Sequence, residues 1–290
     1  MGDPSQPTGP PASLARRIGA SLAISAVVAV GLGGTVILAA LRKPAGPAGR
    51  PGLTGRVFPA SRPISGLRVG FYNIHRDVVR DGLLDLQRVA ADLAGLDVVG
   101  LSEVDAANPL DANQAQTLGE KLAMGWLFAP TEVRWGVGHF GNALLAGPTV
   151  GRWTRTVLPS AEGRSWRNLL TAEMNYAGRN LTVAVTHLDL RYDRALQLQA
   201  LFAHLATLEG PLILVADLNT PEGDPALAAH AKALDLVDAL AGRGDPRRAG
   251  DWILVRGLTV GEAGLVESGA SDHALLWAEL AWPAGESGPR

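Results

Sequence analysis

Short apolar runs that each stop at, or start from, a polar side chain constrain this chain more than any other feature. Residues 67–74 alternate as a strand should and carry Asn73; residues 97–103 form a second run that closes on Glu103. The run 181–186 is followed by His187, and 212–216 by Asp217 and Asn219. Asp251 opens the run 251–255, and Asp272 and His273 precede the run 274–280. Runs this short and this apolar predict buried strands. Further strands are predicted at 141–146, 153–158, 169–176 and 258–260, and helices at 81–96, 113–124, 192–208 and from Pro225. Strands in series, broken by a few helices without strict alternation, predict an α+β chain with two sheets face to face and helices outside. Any one of the polar residues could be a helix cap or a turn former. Six such positions at strand ends describe a site.

Composition narrows the chemistry. There is no cysteine among the 290 residues, so a disulfide framework, a thiolate nucleophile, an iron-sulfur cluster and a Cys-type zinc site are excluded. A metal here has to be held by oxygen or imidazole. The net charge of −2 averages two unlike parts. Residues 1–66 carry seven basic side chains against Asp3 alone, a net of +6, whereas residues 67–282 hold 18 Lys/Arg and 26 Asp/Glu, a net of −8.

The basic leader, with a tail at 1–17, contains 24 uncharged residues from Ile18 to Leu41. As a helix rising about 1.5 Å per residue they reach roughly 36 Å, enough to cross a hydrocarbon core of about 30 Å. The segment is longer than the apolar region of a signal peptide and lacks a good cleavage site, so it predicts one uncleaved transmembrane helix. A positive-inside count would keep the body in the cytoplasm, but that rule weakens before a long folded domain, and the expectation is a single-pass protein with its body outside the cytoplasm. Residues 42–66, rich in Pro and Gly, read as a linker, residues 67–282 as the folded domain and 283–290 as a tail.

The segments Phe71-Tyr-Asn73-Ile, Leu101-Ser-Glu103-Val-Asp105, Gly141-Asn142-Ala143, Thr186-His187-Leu188-Asp189, Ala216-Asp217-Leu218-Asn219, Asp251-Trp252-Ile253 and Ser271-Asp272-His273 together resemble the endonuclease/exonuclease/phosphatase superfamily, with its deoxyribonuclease I-like fold. The resemblance implies a four-layer α/β/β/α sandwich and hydrolysis of a phosphoester with Mg²⁺ or Mn²⁺. It implies Glu103 as the main metal ligand, with Asn73 beside it and Asp272 close by. Asp217 would orient and deprotonate the attacking water, and Asn219 would hold the Asp217 carboxylate and the transition state. His187 and His273 would meet the phosphate oxygens, with Asp251 fixing the tautomer and charge of His273.

Chemistry agrees. Mg²⁺ prefers oxygen ligands and keeps several waters, and a phosphoryl transition state spreads charge that preorganised donors stabilise. A carboxylate beside an imidazole favours the imidazolium. His75 reads as a rim residue, His139 as structural, and His204 and His230 as surface or packing residues. Arg164 and Arg167 read as a solvated loop.

The acidic body lacks the basic stripe with which proteins grip duplex DNA, and an anchor concentrates the chain near a membrane-borne substrate. The expected function is therefore a membrane-anchored phosphoesterase acting on a lipid or lipid-linked head group. A nuclease is the alternative, and a non-catalytic binding protein on the same fold a second one.

Overall fold

Alternation along the strands decides how the chain is layered. The computed structural model describes residues 42–44, 66–74, 85–106, 114–134, 138–161, 166–242, 245, 248 and 250–284. The expected membrane helix at 18–41 lies outside the described residues, as do most of the linker, His75 and Arg164. Among the described residues no helix is long and apolar enough to cross a membrane. The sheets and helices belong to the second of two compact units, Lys43–Arg290.

One sheet has seven strands: β1 (Arg42–Pro44), β2 (Leu67–Asn73), β3 (Val98–Ala106), β4 (Gly125–Arg134), β5 (Gly138–Ala146), β12 (Thr259–Val266) and β13 (Leu275–Ala281), in the order β1-β4-β5-β3-β2-β13-β12. The other has six: β6 (Thr149–Val157), β7 (Asn168–Tyr176), β8 (Arg179–His187), β9 (Leu212–Asp217), β10 (Val237–Asp238) and β11 (Asp251–Arg256), in the order β10-β11-β9-β8-β7-β6. Both are mixed, with β2–β3 and β8–β9 parallel and the other recorded pairs antiparallel.

Strand β9 shows why the sheets stack. Ile213 and Val215 join a core that also takes Leu67, Val69 and Phe71 of β2, Val183 and Val185 of β8, and Ile253 and Val255 of β11. Leu212, Leu214 and Ala216, of opposite parity, join a second core with Leu198, Leu201 and Phe202 of α3 (Arg194–Leu205) and Leu227 of α4 (Pro225–Ala233). The outer face of the larger sheet packs in the same way on α1 (Leu86–Leu93) and α2 (Gln114–Leu122). Buried on both faces, strand β9 is apolar from Leu212 to Ala216 and turns polar only at its end, Asp217. This is the expected α/β/β/α sandwich.

The sequence reading missed β4. Its Pro130 argues against a strand; the structure accommodates it where the β4–β5 register shifts between Pro130 and Glu132. The described part of α1 begins at Asp85, whose carboxylate accepts from the backbone N–H of Gln87 and Arg88 at 3.1 Å. Asp224 caps α4, and Pro225 takes its first position.

Gly141 of β5 sits against the irregular part of β4. A Cβ there would lie 2.3 Å from the Ala129 carbonyl oxygen and 2.7 Å from Pro130 Cα. These are main-chain atoms that no rotamer change can move. Gly141→Ala is expected to cost about 1–3 kcal/mol by overpacking, read as a lower Tm in thermal unfolding; an unchanged Tm would show that β4 yields.

Candidate active site

The parity that builds the inter-sheet core also aims the site. Residues 69 and 71 of β2, 183 and 185 of β8, 213 and 215 of β9, and 253 and 255 of β11 face between the sheets. Continuing each series by two reaches Asn73, His187, Asp217 and, toward the start of β11, Asp251. Register then brings them to one edge: His187 pairs with Asp217 across β8 and β9, and Asp251 pairs with Asp217 across β11 and β9. Glu103 arrives differently. The β3–β5 register shifts between Leu101 and Val104, and Glu103 has φ 59°; such a bulge re-aims one side chain out of alternation.

The Asn73 amide nitrogen is the meeting point of the two sheets. It lies 3.0 Å from Asp217 Oδ2, 3.4 Å from His273 Nε2 and 3.5 Å from Glu103 Oε1. The loop before β13 is tied to the same residue, because Ser271 Oγ donates to the Asn73 carbonyl at 2.6 Å. Asp272 is exposed beside it, and Ser271 Oγ also lies 3.3 Å from its Oδ1.

Asp217 is buried, and burial pushes its carboxyl upward. The charge of His273, the Asn219 backbone N–H, the Asn73 amide and the charge of Arg167 hold it down. The Asn219 contribution comes from its main chain, whose N–H donates to Asp217 Oδ1 at 2.9 Å, while its side-chain amide donates to the Leu188 carbonyl at 3.0 Å. Asn219 has φ 48°, a left-handed conformation that asparagine tolerates better than most residues.

Asp251 is fully buried and its Oδ2 lies 2.7 Å from His273 Nδ1. Burial pushes Asp251 up to about 7 despite the imidazole. Burial alone would lower His273, but the hydrogen bond and charge of Asp251, with Asp217 and Asp272, outweigh it and carry His273 up to about 9. The two titrate as one coupled pair, and His273 is cationic at neutral pH. Arg248 braces the pair: its Nε donates to the Asp251 carbonyl at 2.7 Å, and its Nη1 and Nη2 reach both Asp238 oxygens at 2.8 Å. In the sequence Arg248 stands only as half of the adjacent pair Arg247-Arg248; in the structure its side chain is an internal tie.

His187 behaves oppositely. Its Nε2 lies 3.3 Å from Asp217 Oδ2, yet burial, Arg167 and His273 push its pKa well below 6.5. The ring is neutral and brings one N–H to the site. Its Nδ1 is buried with no hydrogen-bond partner among the described residues.

Arg167 corrects the sequence reading. It is half-buried, not a solvated loop residue, and its Nε is buried without a hydrogen-bond partner among the described residues. Burial lowers its pKa, while the charges of Glu103, Asp217, Glu132 and Asp189 sustain its cation. Beneath it lies a polar bridge between the sheets: Asn142 Nδ2 donates to Asn168 Oδ1 at 3.1 Å, Asn168 Nδ2 to the Ala129 carbonyl at 3.1 Å and the Pro130 carbonyl at 2.9 Å, and Thr186 Oγ1 to the Asn168 carbonyl at 2.8 Å. A signal was present. Arg167 immediately precedes an apolar strand antiparallel to β8, so its leading end lies at the same edge as the trailing end of β8. His139 is exposed, and His230 stacks on Phe202 with centroids 4.9 Å apart, away from these groups in the chain.

Among the described residues, two groups of ligand-type atoms could hold a cation. Ligand-type atoms of Asp217, Asp251 and His273 lie within 4.8 Å of one another, but Asp251 and His273 there satisfy each other. The expected set of Glu103, Asn73 and Asp272 offers hard oxygen donors that are half-buried, buried and exposed respectively, which suits an ion that keeps part of its water shell.

Residues 70–273 match the model of the Endonuclease/Exonuclease/phosphatase family. No curated protein matches the sequence. An endonuclease/exonuclease/phosphatase from Beutenbergia cavernae is similar over 76% of this chain and 72% of its own, with 23% identity and a TM-score of 0.61. The human Nocturnin catalytic domain with bound sulfate anion is similar over 76% and 94%, at 21% identity and TM-score 0.59. D. rerio TDP2 complexed with single strand DNA product follows over 75% and 99%, at 16% and 0.55. At these identities the likeness is one of fold.

The Asp251–His273 pair carries a pH signature. A histidine raised from 6.5 to about 9 adds stability that is complete below the lower value and is lost as pH rises through the upper one. In Asp251→Asn the His273 titration, followed by side-chain NMR, is expected to fall toward or below 6.5, and the alkaline loss of stability to disappear. A His273 titration unmoved by the substitution would show that Asp251 does not set its charge.

Proposed function

We propose, from the premise that this chain belongs to the endonuclease/exonuclease/phosphatase family, that it is a divalent-metal-dependent phosphoesterase, anchored to a membrane by residues 18–41 with its body outside the cytoplasm, and that its substrate is a lipid or lipid-linked head group. One observation carries the catalytic reading: a single amide, Asn73 Nδ2, stands within 3.5 Å of Asp217, His273 and Glu103 together. Groups brought from two sheets to one point are what positioning catalysis requires.

Glu103, Asn73 and Asp272 would hold Mg²⁺ or Mn²⁺. An ion held there would supply Lewis-acid polarisation of the phosphoryl oxygens. Asp217, held on both oxygens by N–H donors yet pushed upward by burial, orients the attacking water and takes its proton. Cationic His273 and Arg167, with the Asn219 amide and the one N–H of neutral His187, meet the charge that grows on the non-bridging oxygens. Asp251 keeps the His273 proton on the ring, and Arg248 keeps Asp251 in place.

Charge supports the substrate class. The body carries −8, and Arg248, half of its one basic pair, is consumed internally by Asp238. Duplex DNA binding draws on free Lys and Arg at the surface.

The full chain with Mg²⁺ is expected to hydrolyse bis-p-nitrophenyl phosphate, and chelation to stop it. Asp217→Ala is expected to lower kcat about 10²–10⁴-fold; equal rates would remove Asp217 from the mechanism. Arg167→Ala is expected to lower kcat/KM about 10²–10³-fold if its cation meets the transition state. Efficient cleavage of plasmid DNA beside untouched phospholipid and phosphoinositide vesicles would overturn the lipid reading in favour of a nuclease.

A further inference from the structure

Six large apolar side chains are conspicuously exposed among the described residues, and three of them, Leu190, Tyr192 and Leu196, fall within seven residues just beyond His187. Leu190 is 56% exposed and Tyr192 60%, with exposed Arg191 between them. Exposed apolar groups gathered at one place mark a contact surface.

The loop that presents them is built, not slack. Asp189 Oδ2 accepts the backbone N–H of Arg191, Tyr192 and Asp193 at 3.1, 2.7 and 3.1 Å. The Asp189 N–H donates to buried Gln197 at 2.7 Å, and Asp193 accepts Ser160 Oγ at 2.8 Å and the Ala161 N–H at 3.0 Å. At its root the loop is fastened to the catalytic segment: the Leu188 N–H donates to the Asp217 carbonyl at 2.9 Å, Asn219 Nδ2 donates to the Leu188 carbonyl, and Arg194 Nη1 donates to the Asn219 carbonyl at 2.6 Å. The tip therefore stands beside the site at a fixed position.

These features select the partner. A loop three of whose N–H groups, those of Arg191, Tyr192 and Asp193, are already taken up by Asp189 enters a medium poor in water with fewer stranded donors, and such stranding is what bars irregular backbone from lipid. Leu supplies an apolar anchor, Tyr an amphipathic ring of the kind enriched at head-group depth, and Arg a cation for phosphate. We propose that Leu190, Arg191 and Tyr192 form an interfacial contact that seats the mouth of the site on the head-group region of a bilayer containing anionic phospholipid. The acidic body confines this contact to the tip, because its carboxylates outnumber its Lys and Arg and are repelled by an anionic surface, an effect screened beyond about 8 Å. The proposal deepens the lipid reading and rests on it for the purpose of the contact.

The cysteine-free sequence provides the test. Leu190→Cys in the full chain takes one environment-sensitive nitrobenzoxadiazole label. Val237→Cys, exposed on β10 and paired with Val255 at the end of β11 away from Asp251, takes the same label as a reference. In amphipol both labels should emit as in water. On reconstitution into phosphatidylcholine/phosphatidylserine vesicles the label at 190 should shift to the blue, brighten and be quenched by doxyl-phosphatidylcholine, more than in phosphatidylcholine alone, while that at 237 stays unchanged. A label at 190 that ignores the vesicles, or that moves equally with the one at 237, overturns the proposal. Emission already blue in amphipol assigns the tip to another part of this chain, and a shift that grows with protein concentration assigns it to a second copy; either result also overturns it. Hydrolysis of bis-p-nitrophenyl phosphate by the same labelled protein separates the two readings: turnover without a shift sinks the contact alone, and a shift without turnover sinks the phosphoesterase alone.

Discussion

Everything in this molecule depends on the face-to-face burial of two sheets, and that burial is a constraint of parity. Ile213 and Val215 must look inward, with Leu212 and Leu214 outward against helix α3. A slip of one residue would exchange the two sets and carry the polar end of the strand to the wrong layer. Because apolar burial fixes the parity, it also fixes the direction of Asp217, two residues beyond Val215. The same holds for Asn73 after Phe71 and His187 after Val185. Asn73, His187 and Asp217 need no separate device to converge; the core that stabilises the sheets delivers them to one edge, and Glu103 alone among the strand residues reaches it by a bulge.

What converges there is electrostatically costly. Asp217, Asp251 and His187 are all nearly removed from water, and isolated charges in such a place are strongly disfavoured. The solution is uneven. His187 gives up its charge, Asp251 and His273 share a proton across 2.7 Å, and Asp217 is held by N–H donors on both oxygens. Neighbouring groups of the same kind thus reach different protonation states, which is how one site offers a base and a cation at one pH. Arg167 balances the acids with no hydrogen-bond partner for its Nε among the described residues.

Much of this was legible in the sequence, for a physical reason. Strands buried on both faces read as short apolar runs, so their polar ends stand out, and seven motifs in order along the chain named the family. What was not legible is equally instructive. Strand β4 hid because Pro130 breaks its pattern, and only the partner strand shows how the register absorbs it. Arg167 hid because a basic residue before the run 169–176 reads as a solvated loop, and only the antiparallel pairing of that strand with β8 brings its leading end to the same edge. The division of labour within Asn219, main chain to Asp217 and side chain to Leu188, is a matter of ångströms that no spacing encodes. The apolar segment at 18–41 stands as the sequence reading left it, outside the described residues.

Among the five described non-glycine residues with positive φ, Glu103 in β3 and Asn219 two residues beyond β9 are the two at the site. Such a backbone costs a side-chain-bearing residue on the order of 1 kcal/mol, least for asparagine. At these two places the chain keeps a carboxylate and an amide where glycine would fold more easily. Selection for thermal robustness alone would therefore find its gains at these positions, and each gain would remove a functional group. These two of the strained residues mark where working and folding make opposite demands on the same backbone.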